Sequence, residues 1–161
     1  MRRNLRETIR HDYDYRCAYC GVSEVNLGAK LTIDHFMPKV RGGDDSYENL
    51  VYSCHACNEF KGEYWQIEPE RQLLNPRKEQ IEEHIKELQD GMLIPLTERG
   101  GNHIAVLQLN RLELIAHRLE QRETLEIRKR CKNLENYIAE LEQLEETNLV
   151  DIRQLFGDSD I

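Results

Sequence analysis

Residues 34–62 read DHFMPKVRGGDDSYENLVYSCHACNEFKG, and most of the side chains that can carry chemistry fall in or next to this stretch. LTIDHF, residues 31–36, predicts a strand because it contains β-branched residues, and Pro38 predicts a loop after it. NLVYSC, residues 49–54, predicts a second strand, and residues 56–64 predict a helix. The expected order is therefore strand, loop, strand, helix.

Two Cys-x-x-Cys pairs bracket the first strand and the loop. They supply four thiolates, which come from Cys17, Cys20, Cys54 and Cys57. Four thiolates can surround one tetrahedral ion at about 2.3 Å per bond, and zinc is the ion expected for this set. Iron of the rubredoxin kind takes the same four ligands and stays open as an alternative. A structural zinc ion would join two distant segments, so its binding energy would become folding energy.

A second group of residues lies between these pairs and just after them. The carboxylate of Asp34 can hold a divalent cation, and the adjacent imidazole of His35 can take a proton from water. Successive strand residues point to opposite faces, so this couple is expected at the end of the strand, where the backbone turns. Asn49 can hold the His35 ring or the loop in place, and Asn58 can offer a neutral oxygen to the same cation.

This stretch, together with CAYC at residues 17–20, resembles the HNH endonucleases, which are also called ββα-metal nucleases. The resemblance implies Asp34 as a ligand of the catalytic cation, His35 as the general base and Asn49 as the middle motif residue. It also implies Asn58 as the second ligand, at a position where many members carry asparagine in place of histidine. A looser resemblance to a bacterial extension of such nucleases covers residues 73–118.

The activity implied by the resemblance is metal-dependent hydrolysis of nucleic-acid phosphodiester bonds, with DNA as the expected substrate. One Mg²⁺ or Mn²⁺ ion would offset charge on the phosphate, and His35 would activate water. Lys39, Arg41 and Lys61 are candidate phosphate contacts, since each lies within a few residues of a motif position. Two alternatives remain open: a non-catalytic zinc module that binds protein or nucleic acid, and a redox or iron protein.

The second half of the chain predicts a mainly helical extension. Residues 77–89 predict one helix, residues 93–107 predict one or two strands, and residues 110–147 predict a long amphipathic helix without Pro or Gly. The apolar seam of this long helix contains Ile127, Cys131, Leu134, Ile138 and Leu141. We expect Cys131 to be a buried thiol, and the seam to pack on its own domain or to bind a partner or a second copy.

Composition limits the classes of protein. The chain has 161 residues and a net charge of -8; residues 1–64 carry 9 Lys and Arg against 10 Asp and Glu, and the remainder carries 13 against 20. The acidic excess therefore lies outside the candidate site, where a locally basic surface can still contact phosphates. No apolar run reaches the roughly 18 residues of a membrane span. A cytoplasmic protein without membrane contact is expected, and bacterial defence is one setting for such nucleases.

These observations predict an α+β protein with a small zinc-stapled ββα-metal core and a helical C-terminal extension. The predicted core covers residues 1–68 and contains the nuclease site with its four-cysteine zinc site. The predicted extension covers residues 69–161.

Overall fold

The structure is a computed structural model that describes residues 3–156, with side chains described for residues 4–146. It is an α+β protein, as predicted, whose described part contains two separate two-stranded antiparallel sheets. Among the described residues, those up to Leu119 form one compact unit, and those from Glu120 onwards form another. No helix in the described part of the chain is both long enough and apolar enough to cross a membrane.

Two helices precede the sheet that carries the candidate site. Helix α1 spans Arg3–Asp12, and helix α2 spans Glu24–Leu27. Ile9 of α1 is fully buried in the core. Arg10 donates two hydrogen bonds to Glu24, at 2.6 and 2.5 Å, and so ties the two helices together.

The predicted order of strand, loop, strand and helix is confirmed. Strand β1 spans Thr32–His35 and pairs antiparallel with β2, Leu50–Ser53. Helix α3, His55–Lys61, follows at once. All four residues of β2 are buried, so this strand lies in the centre of the core, and β1 lies beside it. The sheet therefore delivers Asp34 and His35 at the end of β1, where the chain turns away.

The prediction of a helix over residues 77–89 is wrong. A single 3-10 turn occupies Ile81–Glu83, and strand β3, Ile85–Glu87, pairs with strand β4, Leu93–Pro95. Asp90 and Gly91 form the turn between these strands; an Asp-Gly pair is a strong hairpin signal. This local turn chemistry outweighs the helical propensity of the Glu-rich residues before it.

The strands predicted over residues 93–107 are only partly right. β4 is present, but helix α4 spans Glu98–Val106 and contains Gly100. A Cβ atom on Gly100 would lie 2.0 Å from the backbone oxygen of His84, so only glycine lets α4 approach the hairpin so closely. Gly100 therefore marks a tight contact between α4 and the hairpin.

The second half of the compact unit is tied to the first by buried side chains. Arg77 donates a 2.6 Å hydrogen bond to the backbone oxygen of Leu50 in β2, and its guanidinium lies over the rings of Tyr13 and Tyr47, at 5.2 and 4.1 Å from their centroids. Leu73 also packs in the same hydrophobic cluster as β2. A division at residue 68 stays a prediction about which parts can fold alone.

The predicted long helix is confirmed and continues further than expected. Helix α5 spans Leu112–Phe156. The seam residues Ile127, Leu134 and Ile138 are exposed, and Cys131 is exposed as well. The prediction of a buried Cys131 is therefore wrong, because the periodicity of a helix shows which residues share a face but not whether anything covers that face.

Candidate active site and metal centre

The four clustered cysteines come from two elements. Cys17 and Cys20 lie in the turn before α2, and Cys54 and Cys57 lie at the start of α3. Their four sulfur atoms all lie within 4.8 Å of one another, and the Sγ atoms of Cys20 and Cys54 are 3.8 Å apart. Bonds of about 2.3 Å to a tetrahedral ion place the sulfurs about 3.8 Å apart, so the cluster fits zinc.

Two nitrogen groups lie close to sulfur atoms of the cluster. The backbone N–H of Cys57 donates to Cys54 Sγ at 3.4 Å, and Arg111 Nη2 lies 3.8 Å from Cys57 Sγ. A cation beside the thiolates offsets the negative charge that four of them carry around one divalent ion. No local motif connects Arg111 with cysteines more than 50 residues earlier, so its place beside the cluster is not visible in the sequence.

Asp34 is buried, with two polar neighbours. The Tyr19 hydroxyl donates to Asp34 Oδ2 at 2.8 Å, and Lys61 Nζ lies 3.1 Å from each carboxylate oxygen. Burial raises the pKa of Asp34 above its usual value, while the positive charge of Lys61 and the hydrogen bond from Tyr19 act in the opposite direction. The site therefore already places a positive group against this carboxylate.

Lys61, the partner of Asp34, is buried as well. Its side chain is only 1% exposed, and Nζ also donates to the backbone oxygen of His35 at 2.7 Å. Lys61 therefore connects the end of α3 with the end of β1. The predicted phosphate contact would require its ammonium to turn away from Asp34 or to be shared with it.

His35 is the half-exposed member of the site. Its Nε2 atom lies 2.7 Å from Asp45 Oδ1, and Lys39 Nζ lies 2.8 Å from Asp45 Oδ2. The hydrogen bonds from Lys39 and His35 lower the pKa of Asp45 to about 2, so this carboxylate is ionised at neutral pH and can only accept. Nε2 must then donate, which leaves the lone pair on Nδ1. The His35 side chain is 26% exposed, so water can reach it.

Asn49 holds the loop between the two strands. Its Nδ2 donates to the backbone oxygens of Met37 and Asp44, at 3.0 and 2.9 Å, and its Oδ1 accepts from Met37 N at 2.8 Å. Gly43 lies so close that a Cβ atom there would meet the Met37 oxygen at 1.8 Å. Asn49 was predicted to hold either the His35 ring or the loop, and in the structure it holds the loop.

Asn58 and the exposed basic residues complete the predicted set. Asn58 is half-buried in α3, three residues before Lys61, and residues at this spacing share a helix face. Asn58 and Lys61 therefore lie on neighbouring positions of the same helix face. Lys39 and Arg41 lie in an exposed 3-10 turn directly after β1, where Lys39 already contacts Asp45.

Two further side chains of the site, Tyr19 and Asp45, lie at no motif position in the sequence. The Tyr19 hydroxyl contacts Asp34. Of the two neighbouring carboxylates in the loop, Asp44 accepts from the backbone N–H of Ser46 at 3.2 Å, whereas Asp45 contacts His35. Only the folded loop distinguishes these two neighbouring carboxylates.

An Asp-His pair at the end of a strand, a second strand, a helix and four cysteines clustered for zinc binding all fall within one short segment of the chain. The model of the HNH endonuclease family matches residues 17–63 of this chain. The matched segment begins at the first cysteine and ends just after α3, so it contains all four cysteines and the whole proposed site. These findings support a nuclease.

A curated relative supports the same conclusion over the same share of the chain. The CRISPR-associated endonuclease Cas9 of Corynebacterium diphtheriae is 42% identical over 48 residues, which cover 29% of this chain and 4% of that protein. The similarity therefore extends to one module of a much longer protein. No solved structure matches this chain.

Proposed function

We propose that this protein is a metal-dependent endonuclease that hydrolyses phosphodiester bonds of DNA. The observation that carries the proposal is the pairing of two neighbours at the end of β1: a buried Asp34 carboxylate beside an ammonium, and a half-exposed His35 ring that Asp45 holds by one nitrogen. The match of residues 17–63 to the HNH endonuclease family supports it.

The residues around Asp34 fit a hard divalent cation. Carboxylate and amide oxygens are the ligands that Mg²⁺ and Mn²⁺ prefer, and Asp34 with Asn58 would supply one of each. The Lys61 ammonium, 3.1 Å from the carboxylate, is consistent with a position that favours positive charge. When bound there, the cation supplies Lewis-acid stabilisation of the phosphate and of the departing oxygen.

His35 takes the proton from the attacking water in this proposal. Nδ1 carries the free lone pair, because Nε2 donates to Asp45. As the ring gains a proton, the ionised carboxylate of Asp45 stabilises the imidazolium and keeps the ring oriented. Asn49 acts through the loop, since its side chain holds the backbone of the segment that carries Asp45.

Phosphate contacts are proposed for the basic residues around this centre. Arg41 and Lys39 lie in the exposed turn next to His35, and Lys61 lies behind Asp34. Backbone phosphates bind such groups without regard to sequence, so this module alone should show little sequence preference.

The remaining proposals concern the biological setting. The exposed seam of α5 is proposed to bind a protein partner or a second copy of the chain. A cytoplasmic role in bacterial defence is also proposed, and the name of the matched Corynebacterium protein, a CRISPR-associated endonuclease, supports it.

A plasmid assay tests the proposed activity. Purified full-length protein is incubated with supercoiled plasmid in the presence of Mg²⁺, Mn²⁺ or EDTA, and an RNA of matching sequence is incubated in parallel. We expect metal-dependent nicking or linearisation of the DNA, and loss of both with EDTA. The Asp34→Asn variant, purified in the same way, controls for contaminating nucleases. Cleavage that persists in this variant, or no cleavage with either metal, would contradict the proposal.

A further inference from the structure

The Tyr19 side chain joins the turn of the cysteine cluster to the proposed catalytic carboxylate. It lies between two cluster members, Cys17 and Cys20, and its hydroxyl donates to Asp34 Oδ2 at 2.8 Å. The ring is only 6% exposed, so water does not compete for this hydrogen bond. A buried, directional contact of this kind fixes where the carboxylate oxygen points.

The tyrosine is itself held from several directions. The turn that carries it is anchored to β2 by the backbone N–H of Ala18, which donates to the Tyr52 oxygen at 2.7 Å. The Tyr19 ring lies 6.2 Å from the ring of His103, which belongs to α4 and is 1% exposed. A zinc ion at the cysteines would hold the two ends of the same turn. The hydroxyl therefore has little freedom to follow a carboxylate that rotates.

From these contacts we infer that Tyr19 is a positioning residue for the proposed cation site, through which the zinc-bound turn sets the orientation of Asp34. The Tyr19 hydroxyl donates to Oδ2, and the Lys61 ammonium lies 3.1 Å from both carboxylate oxygens. The two contacts together limit rotation of the carboxylate. Without the hydroxyl, Lys61 alone holds the carboxylate, which can then rotate about this contact, and cation binding weakens.

Tyr13 provides a matched control within the same region. It is another tyrosine of the hydrophobic cluster, but its buried hydroxyl has no hydrogen-bond partner in the described part of the chain. Tyr19→Phe and Tyr13→Phe therefore each remove one buried hydroxyl, and only the first change removes a contact to Asp34.

The test measures Mn²⁺ binding by the zinc-loaded, full-length protein. Electron paramagnetic resonance detects the Mn²⁺ that remains free. We expect Tyr19→Phe to weaken Mn²⁺ binding about tenfold, within the range for loss of a group that orients a metal ligand. Zinc content and the melting temperature should stay near those of the wild type, and Tyr13→Phe should bind Mn²⁺ like the wild type. In the plasmid assay, higher Mn²⁺ should restore cleavage by Tyr19→Phe, because the defect lies in cation binding.

The inference rests on the proposed function, and its outcomes separate the two. Wild-type Mn²⁺ affinity in Tyr19→Phe, with binding lost in Asp34→Asn, would overturn the role of Tyr19 alone. Loss of zinc or a large fall in melting temperature in Tyr19→Phe would also overturn it, since the hydroxyl would then serve the fold. If Asp34→Asn binds Mn²⁺ as tightly as the wild type, the cation site at Asp34 and the proposed function both fail.

Discussion

The cysteine cluster and the Asp34–His35 pair occupy the same short module but differ in their access to water. Three of the four clustered cysteines are buried, whereas the His35 side chain is 26% exposed. A zinc site closed by four thiolates has no open position for substrate, so it can only stabilise the fold. A base must instead meet water and phosphate. The comparison predicts that damage to one site lowers stability and damage to the other lowers activity.

The largest expected effect is at the base. His35→Ala should lower the rate of plasmid cleavage by about 100- to 10,000-fold, the usual contribution of a general base. Zinc content and melting temperature should not change, because the His35 ring lies outside the cysteine cluster. His55→Ala is the matched control, since His55 lies between two cysteines but its side chain is 92% exposed. Cleavage by His35→Ala at the wild-type rate would show that another group is the base.

The corresponding change at the other site is Cys54→Ala. Removing one of four thiolates should release zinc and cost on the order of several kcal/mol, because the binding energy of a structural zinc ion is folding energy. Zinc content and the melting temperature are the measurements. Cys131→Ala is the control, because Cys131 is exposed and lies outside the cluster. A zinc-free Cys54→Ala protein with the melting temperature of the wild type would show that the cluster does not stabilise the fold.

A smaller effect is expected at the carboxylate that holds the base. Asp45→Asn should slow plasmid cleavage roughly tenfold, less than loss of His35 itself, because water can replace an exposed partner. Asp44→Asn is the control, since Asp44 caps Ser46 and leaves the ring alone. Equal rates for the two variants would mean that the contact between Asp45 and His35 does not serve catalysis.

The smallest effect is a change of stability with pH, and it concerns His103, whose ring packs near the ring of Tyr19. Burial lowers the pKa of His103 to about 4, and its Nδ1 accepts from Leu74 N at 3.1 Å, so the folded protein keeps this ring neutral. Between pH 4 and about 6.5 the unfolded chain binds the extra proton, and stability therefore falls as the pH drops through this window.

A mutation isolates the contribution of this histidine. When the pH falls from 7.5 to 5.5, the free energy of unfolding of the wild type should decrease by about 1 kcal/mol because of His103. His103→Gln keeps an acceptor for Leu74 but does not titrate, so it should lose less over the same range. Urea unfolding at both pH values, with zinc content checked at each, measures the difference. Equal losses in the two proteins would show that His103 is not the group responsible.

Local patterns in the sequence were enough to predict the central module. Two Cys-x-x-Cys pairs, β-branched runs and a proline-glycine loop are short-range signals, and the strands, α3 and the clustered cysteines follow them closely. The hairpin over residues 85–95 was missed, although its Asp90-Gly91 turn was available as a signal. Gly100 of α4 is required by a close contact with His84, 16 residues earlier, which local patterns in the sequence do not reveal.

Long-range contacts could not be predicted in the same way. The sequence places Tyr19, Asp45 and Arg111 near no partner that would reveal their contacts, since each meets its partner only after the chain has folded back. Likewise, the periodicity of α5 predicted a helix correctly but did not show that Cys131 is exposed.

The sequence by itself determined which residues can bind metal or move a proton, because ligand type and spacing depend on covalent chemistry and on neighbours a few residues away. The tertiary structure alone decided which atoms meet: which nitrogen of His35 is held, and which groups flank Asp34. The reason is physical, since a hydrogen bond depends on distances and angles of a few tenths of an ångström and a few degrees, and only packing of the whole unit sets these.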